Sequence, residues 1–231
     1  MSDSFIDAYS ALDARMKIVD VITNNLANAN TIGFKRDFAH ILQGETEFDV
    51  GTQMDLSSGD LIGTGNNLDA AINGEGFFAI ETPSGERYTR AGSFGVNAAG
   101  ELVTKDSLRV LSTSNQPIAI GDGKVEIRDG GVVMVDDNEV ATLKVVTFDD
   151  PSKLQKEGFQ RLVWNGNPSG IKAVADPQVQ GGYTERSNVN AIDEMVHLMA
   201  AYREFESVQR TLKTLVTDMN SKLIQELGRL T

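Results

Sequence analysis

The sequence predicts an α+β chain: N- and C-terminal amphipathic helices pairing as a coiled-coil-like stalk, with an inserted all-β domain. Three observations predict it. Glycine and proline, the strongest breakers of regular structure, are missing from residues 1–32 and 183–227, while all 5 prolines and 20 of the 22 glycines lie between Gly44 and Gly182. Both Gly- and Pro-free ends repeat apolar residues at helical spacing. The middle alternates short apolar runs with turn signals at roughly 8–12-residue intervals, the pattern of a compact all-β module.

The first helix starts at Ser2 or Asp3, either a suitable N-cap. Phe5, Tyr9, Leu12, Met16 and Val19 follow intervals of 4, 3, 4 and 3, and Leu26 recurs seven residues after Val19. That is a heptad seam. The helix ends after Leu26, where Asn-Ala-Asn-Thr and Gly33 follow.

In the middle, strands are read at Gly76–Ile80, Arg87–Arg90, Leu102–Thr104, Leu108–Leu111, Lys124–Arg128, Gly131–Val135 and Ala141–Phe148. Turn residues separate them at Pro83-Ser-Gly85, Ala98-Ala-Gly100, Gly121-Asp-Gly123, Asp129-Gly-Gly131 and Asp136-Asp-Asn138.

The second helix takes Asn190 as N-cap, with Asp193 and Glu194 near its positive end. Its apolar positions are Ile192, Val196, Met199, Tyr202, Phe205, Val208, Leu212, Leu215, Met219, Leu223 and Leu227, and Gly228 stops it. About 38 residues at ~1.5 Å each make roughly 57 Å, longer than a small domain is wide. Such a helix needs a long partner and overhangs the first. The expected organisation is a discontinuous helical domain, residues 1–40 and 184–231, around a β-rich domain at 41–183. The expected helical seam is Phe5, Tyr9, Leu12, Met16, Val19 and Leu26 against Ile192, Val196, Met199, Tyr202, Leu212, Leu215, Met219 and Leu223. The leftover apolar surface then meets other subunits; the competing reading folds the helices back onto the β domain of a monomer.

Composition excludes several functions. The chain of 231 residues has no cysteine and two histidines, His40 and His197. Thiolate nucleophiles, zinc–thiolate and iron–sulfur sites and multi-histidine metal centres are therefore out. Net charge is −12, of which −11 falls on residues 41–185. That balance argues against nucleic-acid binding, and the near-neutral ends can pack against copies of themselves. No stretch of ~18 apolar residues is present to insert in a membrane. The opening MSDSFIDAYS lacks the layout of a cleavable signal peptide, which makes the cytoplasm the default location.

Chemical motifs fail on inspection, and no catalytic, metal-ligating or cofactor-binding residue is expected. Ala91-Gly-Ser-Phe-Gly95 has Ala where a nucleophile elbow needs Gly. Gly121-Asp-Gly-Lys124 lacks the spacing of a phosphate loop, and Gly74-Glu-Gly76 lacks the third glycine of a dinucleotide loop. The acidic clusters Asp136-Asp-Asn-Glu139 and Asp149-Asp150 lack the ligand order of a calcium loop. Trp164 reads equally as a β-core anchor or an outer contact.

Three further segments carry a resemblance. The first runs Asn24-Asn25-Leu-Ala27-Asn28-Ala-Asn-Thr31-Ile-Gly33-Phe34-Lys35-Arg36. The second is Thr64-Gly65-Asn66-Asn-Leu68-Asp69-Ala-Ala-Ile-Asn-Gly74-Glu-Gly76-Phe77-Phe78, continuing through Tyr88-Thr89-Arg90-Ala-Gly92-Ser-Phe94 and Gly100-Glu-Leu-Val103. The third is Ser187-Asn188-Val189-Asn190, leading into Glu194-Met195. In this order they resemble the flagellar basal-body rod protein family, within the rod and hook axial proteins. With one inserted β domain the chain resembles the FlgF/FlgG type. The short segment from Gln43 to Ser58 resembles a proximal-rod protein more than a distal-rod one.

The resemblance implies a structural axial subunit and no enzyme. It implies export through the flagellar type III apparatus without a cleaved signal peptide, helical polymerisation into the periplasmic rod, and transmission of torque. Its partners would be copies of itself and other flagellar rod proteins. Terminal helices would line the export channel. Gly33 would permit a turn that excludes a β-carbon, Phe34 would anchor the exit, and Lys35 and Arg36 would reach an acidic neighbour. The amides of Asn24, Asn25 and Asn28 either satisfy orphan carbonyls, bridge to a neighbouring subunit, or only end the helix. Two readings of another class stay beside this one. One is a β-rich enzyme with a helical dimerisation stalk, which lacks a polar constellation. The other is an acidic β-rich binding module for a cationic partner, carried on a helical oligomerisation stalk.

Overall fold

The computed structural model describes residues 2–43, 48–121 and 123–227. Two long helices bound the chain, α1 (Ser2–Ala27) and α2 (Ala191–Leu227). Everything regular between them is strand, apart from three short 3-10 turns. An α+β chain with an inserted β domain is therefore observed. The chain divides into two compact units. One holds residues 1–27, 37–55 and 190–231, the other 28–36 and 56–189.

In the helical unit, Asn190 caps α2 as its residue type predicts. Its Oδ1 accepts from the Ile192 N–H at 3.0 Å. The two helices pack against each other, and Arg15 of α1 pairs with Glu204 of α2 at 2.5 Å. The covered positions of α2 are Glu194, Leu198, Ala201, Phe205, Val208, Leu212 and Leu215. Their spacing is heptad-like, but only Leu212 and Leu215 among these seven belong to the expected seam. Ile192, Val196, Met199, Tyr202 and Met219 are exposed, as are Tyr9 and Met16 on α1. Leu12, Val19, Leu26, Leu212 and Leu215 are covered or half-covered as expected. The side chains of Phe5 and Leu223 lie outside those described.

The reason is size. Ser10, Ala14 and Ala201 are buried, and such small side chains let helix backbones approach closely. The large apolar residues stand one stripe away. Beyond Leu215, residues 216–221 of α2 are all exposed, as an overhanging end requires.

The same unit contains a hairpin that the sequence reading divided between its two domains after residue 40 and did not assign as strands. β1 (Asp37–Gln43) pairs with β2 (Phe48–Met54), and both pack on α1. Burial alternates along β1, with Asp37, Ala39 and Ile41 partly covered and Phe38, His40 and Leu42 exposed. Both faces carry apolar residues, so hydropathy does not reveal the period of two. His40 folds over its partner Gly51, where a β-carbon would lie 2.6 Å from its Nε2.

The β unit begins with β3 (Leu61–Gly63), β4 (Ala70–Ile72), β5 (Phe77–Thr82) and β6 (Gly85–Thr89). The hairpin of β5 and β6 lies within the largest sheet among the described residues, nine strands. That sheet includes the hairpin Leu154–Glu157 with Arg161–Trp164, which joins β6 through Leu162 and Tyr88. A second sheet holds Val125–Arg128, Val132–Val135 and Asn138–Thr142. Asp136 and Asp137 have φ of 48° and 64°, the two-residue type I′ turn that joins the last two of these strands. Residues 141–148, expected as one strand, divide at Leu143. The chain there leaves the second sheet, with the Leu143 N–H on the Gly131 carbonyl at 2.8 Å, and enters the first at Val145.

Between these elements lies one core, built on Ile72, Phe78, Ile80, Leu102, Ile118, Val133 and Leu143 among others. Phe78 meets Phe94 edge-on at 5.3 Å. Trp164 is half-buried and stacks on Phe148 at 4.9 Å, while its indole N–H donates to the Asn167 carbonyl at 2.9 Å. It is an anchor at the sheet's margin.

One contact is unusually tight. The Ala70 N–H donates to the Gly92 carbonyl, and a β-carbon on Gly92 would sit 1.6 Å from the Ala70 oxygen. Gly92→Ala should therefore destabilise the β unit by several kcal/mol. Gly95→Ala, with open space around the new carbon, should cost about 1 kcal/mol or less. Urea unfolding of both variants, followed by Trp164 fluorescence, checks this; equal midpoints would contradict the assigned contact.

Candidate functional site

Two of the three resemblance-bearing segments meet inside the β unit on a residue that none of the three contains. Glu185, in the strand Tyr183–Glu185 paired with β3, has 0% of its surface exposed. Its Oε1 accepts from Lys35 Nζ at 2.7 Å and from the Gly59 N–H at 2.9 Å. Its Oε2 accepts from Arg90 Nη1 at 3.1 Å. Lys35 and Arg90 are themselves only 3% exposed.

Both cations are satisfied further by backbone. Lys35 Nζ donates to the Ser57 carbonyl at 2.6 Å. Arg90 donates to the Ile72 carbonyl at 3.1 Å and to that of Gly74, and its guanidinium lies 5.3 Å from the Phe77 ring centroid. Burial lowers the Arg90 guanidinium from its ordinary value, and the Glu185 charge opposes that.

Around this triad the chain is cross-tied. The Gly33 N–H donates to the Glu185 carbonyl at 2.8 Å. The Arg36 N–H donates to Asn188 Oδ1 at 2.7 Å, and Asn188 Nδ2 to the Ser57 carbonyl at 3.1 Å. Gly33 has φ of +68°, and a β-carbon there would lie 2.4 Å from the Ala91 nitrogen. Its expected turn is thus present and sterically closed to other residues. Phe34 is buried, with Lys156 Nζ 4.0 Å from its ring centroid. Lys35 finds its carboxylate within its own chain. Ser187 Oγ accepts from the Val189 N–H at 3.3 Å, and both residues are buried.

A second polar knot explains the middle segment. Asp69 is buried, and its carboxylate accepts from Thr64 Oγ1 at 2.6 Å, Ser93 Oγ at 3.0 Å and Asn66 Nδ2 at 3.1 Å. Gly65 turns at φ of +68° beside it, and Leu68 packs on the core. Gly74 and Gly76 have φ of +124° and +130°, and they aim Phe77 and Phe78 inward. Tyr88 meets Phe148 at 4.8 Å, and Thr89 Oγ1 donates to the Gln160 carbonyl at 2.6 Å. Ser93 therefore serves as an internal donor to Asp69.

In the helical unit, buried Asn25 pairs with the Asp37 backbone both ways. Nδ2 donates to its carbonyl at 2.8 Å, and Oδ1 accepts from its N–H at 3.0 Å. The amide thus starts β1 as a ladder residue would. Ala27 is the last residue of α1, and Asn24 is exposed near its end. In the turn that follows, Asn28 Oδ1 accepts from Thr31 Oγ1 at 3.0 Å. His197 is exposed on α2, 3.9 Å from Glu194 Oε1.

These groups are hydrogen-bond and ion-pair partners for one another, and they hold the fold. Sequence reasoning missed Glu185, although two cations inside motifs, Lys35 and Arg90, imply a carboxylate. Replacing Glu185 with Gln leaves two buried cations unpaired and should cost about 3–5 kcal/mol. Glu157→Gln, which breaks the more exposed pair with Arg87, should cost about 1 kcal/mol or less. Denaturant unfolding at neutral pH compares them; a Glu185→Gln cost as small as that of Glu157→Gln would refute the triad.

Comparison with known proteins places these segments. Residues 8–35 match the family model for the flagella basal body rod protein, residues 71–135 that for the flagellar hook protein FlgE/F/G D1 domain, and residues 180–226 that for the flagellar basal body rod FlgEFG protein C-terminal region. The chain is 32% identical to the flagellar basal-body rod protein FlgF of Caulobacter vibrioides, over 96% of this chain and 98% of that protein. It is 30% identical to FlgF of Mesorhizobium japonicum over 99% of each. Identity to the flagellar basal-body rod protein FlgG of Bacillus subtilis is 30% over 92% of each. The chain belongs to the flagellar basal-body rod proteins of the FlgF/FlgG type, a family of structural subunits and not of enzymes.

Proposed function

We propose that this rod subunit polymerises helically through its terminal helices, pairing as a coiled coil, and that it occupies the proximal rod. The observation that carries the first part is the uncovered stripe on α1 and α2. Tyr9 is 63% and Ile192 73% exposed, and Met16, Met195, Val196, Met199 and Tyr202 are about half exposed. Apolar area returns about 25 cal/mol per Å² when it leaves water, so a continuous stripe of this kind favours association. The helices thus have two faces, one used within the chain and one left for neighbouring copies. The expected seam residues that are exposed belong to the second face, as interfaces between subunits.

In such an assembly the helices surround the export channel, the β units form the outer layer, and torque passes along the helical contacts to the hook and filament. The subunit reaches the periplasmic rod through the flagellar type III export apparatus without a cleaved signal peptide. A chain without cysteine suits passage from a reducing to an oxidising compartment. The proximal position is supported by the short hairpin after α1, whose strands have seven residues each.

Met199→Asp tests the outer stripe. The substitution lies on an exposed face and should leave unfolding within about 0.5 kcal/mol of the parent. Sedimentable polymer and swimming should both be lost. Leu212→Asp, on the covered stripe, should instead lower helix content in the dispersed chain. A Met199→Asp chain that assembles like the parent would remove this stripe from the interface.

A further inference from the structure

We infer that Met195 and Met199 of α2, with Met16 of α1, form an oxidative modification site: a peroxide that converts their thioethers to sulfoxides stops the free subunit from assembling, and reduction restores it. The inference rests on the polymer reading above and adds a control to it. All three side chains are about half exposed. Ile192, Met195, Met199 and Tyr202 follow intervals of 3, 4 and 3 along α2 and so share one face. Tyr9 and Met16, seven residues apart, share a face of α1 in the same way.

Sulfur is sorted between the faces of these helices. The covered apolar positions are Leu198, Ala201, Phe205, Val208, Leu212 and Leu215 on α2, and Leu12, Ala14, Val19 and Leu26 on α1. None of them is methionine. Every methionine of the two helices, Met16, Met195, Met199 and Met219, is exposed. Helix propensity does not sort them, because Leu and Met are nearly equal in a helix. Of the other methionines whose side chains are described, Met54 and Met134 are partly covered. The chain has seven methionines and no cysteine. Oxidation of sulfur here falls on thioethers, and on the exposed ones first.

The oxidant is a peroxide. A lone pair of the methionine sulfur attacks one peroxide oxygen, the O–O bond breaks and an S–O bond forms. The second oxygen takes up the proton of the first and leaves as water. Sulfur is oxidised by two electrons and the peroxide is reduced by two.

The product matters only on assembly. In the dispersed chain a sulfoxide on this face stays hydrated, so the packing of α1 on α2 is untouched. Carried into a contact with another copy, its oxygen loses water, and Ile192 and Val196 beside it offer no donor in exchange. The flexible apolar side chain that suits an adaptable contact has become a polar one. In the polymer the same sulfurs are covered, so the free subunit is the sensitive form.

The test treats full-length chain with hydrogen peroxide, removes the peroxide, and reads sulfoxide at each position by mass spectrometry. Chain oxidised at Met195 and Met199 should keep its circular dichroism and urea midpoint, while its critical concentration for sedimentable polymer rises by about tenfold or more. Methionine sulfoxide reductases for both epimers should return that concentration to its starting value. Oxidised chain that assembles like untreated chain, or a loss accompanied by unfolding, or one that the reductases do not reverse, overturns the inference and leaves the polymer reading intact. Untreated chain that never forms sedimentable polymer overturns the polymer reading and this inference with it. A chain carrying Met16→Leu, Met195→Leu and Met199→Leu together, which keeps the apolar volume, should assemble equally before and after peroxide. If peroxide still abolishes its assembly, the effect lies at other methionines and the assignment to these three is overturned.

Discussion

A carboxylate with no exposed surface organises the β unit. Glu185 is tolerated there because Lys35 and Arg90 bring two positive charges within hydrogen-bonding distance, and a backbone N–H fills its remaining reach. Such a triad is a weak source of net stability, since desolvating three ions offsets most of their attraction. Its effect is on specificity. Lys35 lies 150 residues before Glu185, and Arg90 lies 95 before it. Unless all three segments arrive together, at least one charge is buried alone. The triad thus makes entry into the unit at residues 28–36, the strand after Tyr183 and the β6 region conditional on one another. The surrounding ties, from Gly33 to the Glu185 backbone and from Asn188 to Arg36 and Ser57, extend the same dependence to the main chain.

The helical unit is organised by the opposite economy, in which small residues do the internal packing. Ala14, Ala201 and Ser10 are buried, while Tyr9, Met199 and Tyr202 are left outside. A monomer selected only for stability would turn its largest apolar side chains inward, because each buries the most area. The reverse arrangement is coherent when the larger side chains face a surface supplied by something else. Glu194 shows the same logic: it holds a covered heptad position at the start of α2, where a helix N-terminus favours negative charge.

This is also where the sequence was legible and where it was not. The end of α1 and the start of α2 were readable because Gly33 and Asn190 are local signals, and the type I′ turn at Asp136 and Asp137 is equally local; the stop expected at Gly228 lies outside the described residues. The choice of helix stripe was not. Hydropathy ranks Met199 and Tyr202 above Ala201, whereas close backbone approach rewards Ala201, and only a partner surface decides between them. The β1–β2 hairpin escaped for a related reason, since Phe38 and Leu42 on its open face cancel the alternation that Ala39 and Ile41 create. The motifs were visible as residue types long before their purpose was. Asp69 needs Thr64, Asn66 and Ser93 around it, and Lys35 and Arg90 need Glu185. Of those partners, Ser93 and Glu185 lie far away in sequence, and Glu185 sits two residues outside the segment that carries the resemblance.

The distribution of charge connects the two units to assembly. With −11 of the net charge on residues 41–185, β units brought side by side repel one another, whereas the near-neutral helices can approach at close range with little repulsion. Repulsion between β units sets an upper limit on how tightly helices alone can draw copies together. For copies to associate, attraction through the exposed helix stripes would then have to exceed the repulsion between β units. The exposed stripe of Ile192, Val196, Met199 and Tyr202 supplies that attraction, and the acidic β units confine it to the helices, because only there can two copies approach without adding like charge.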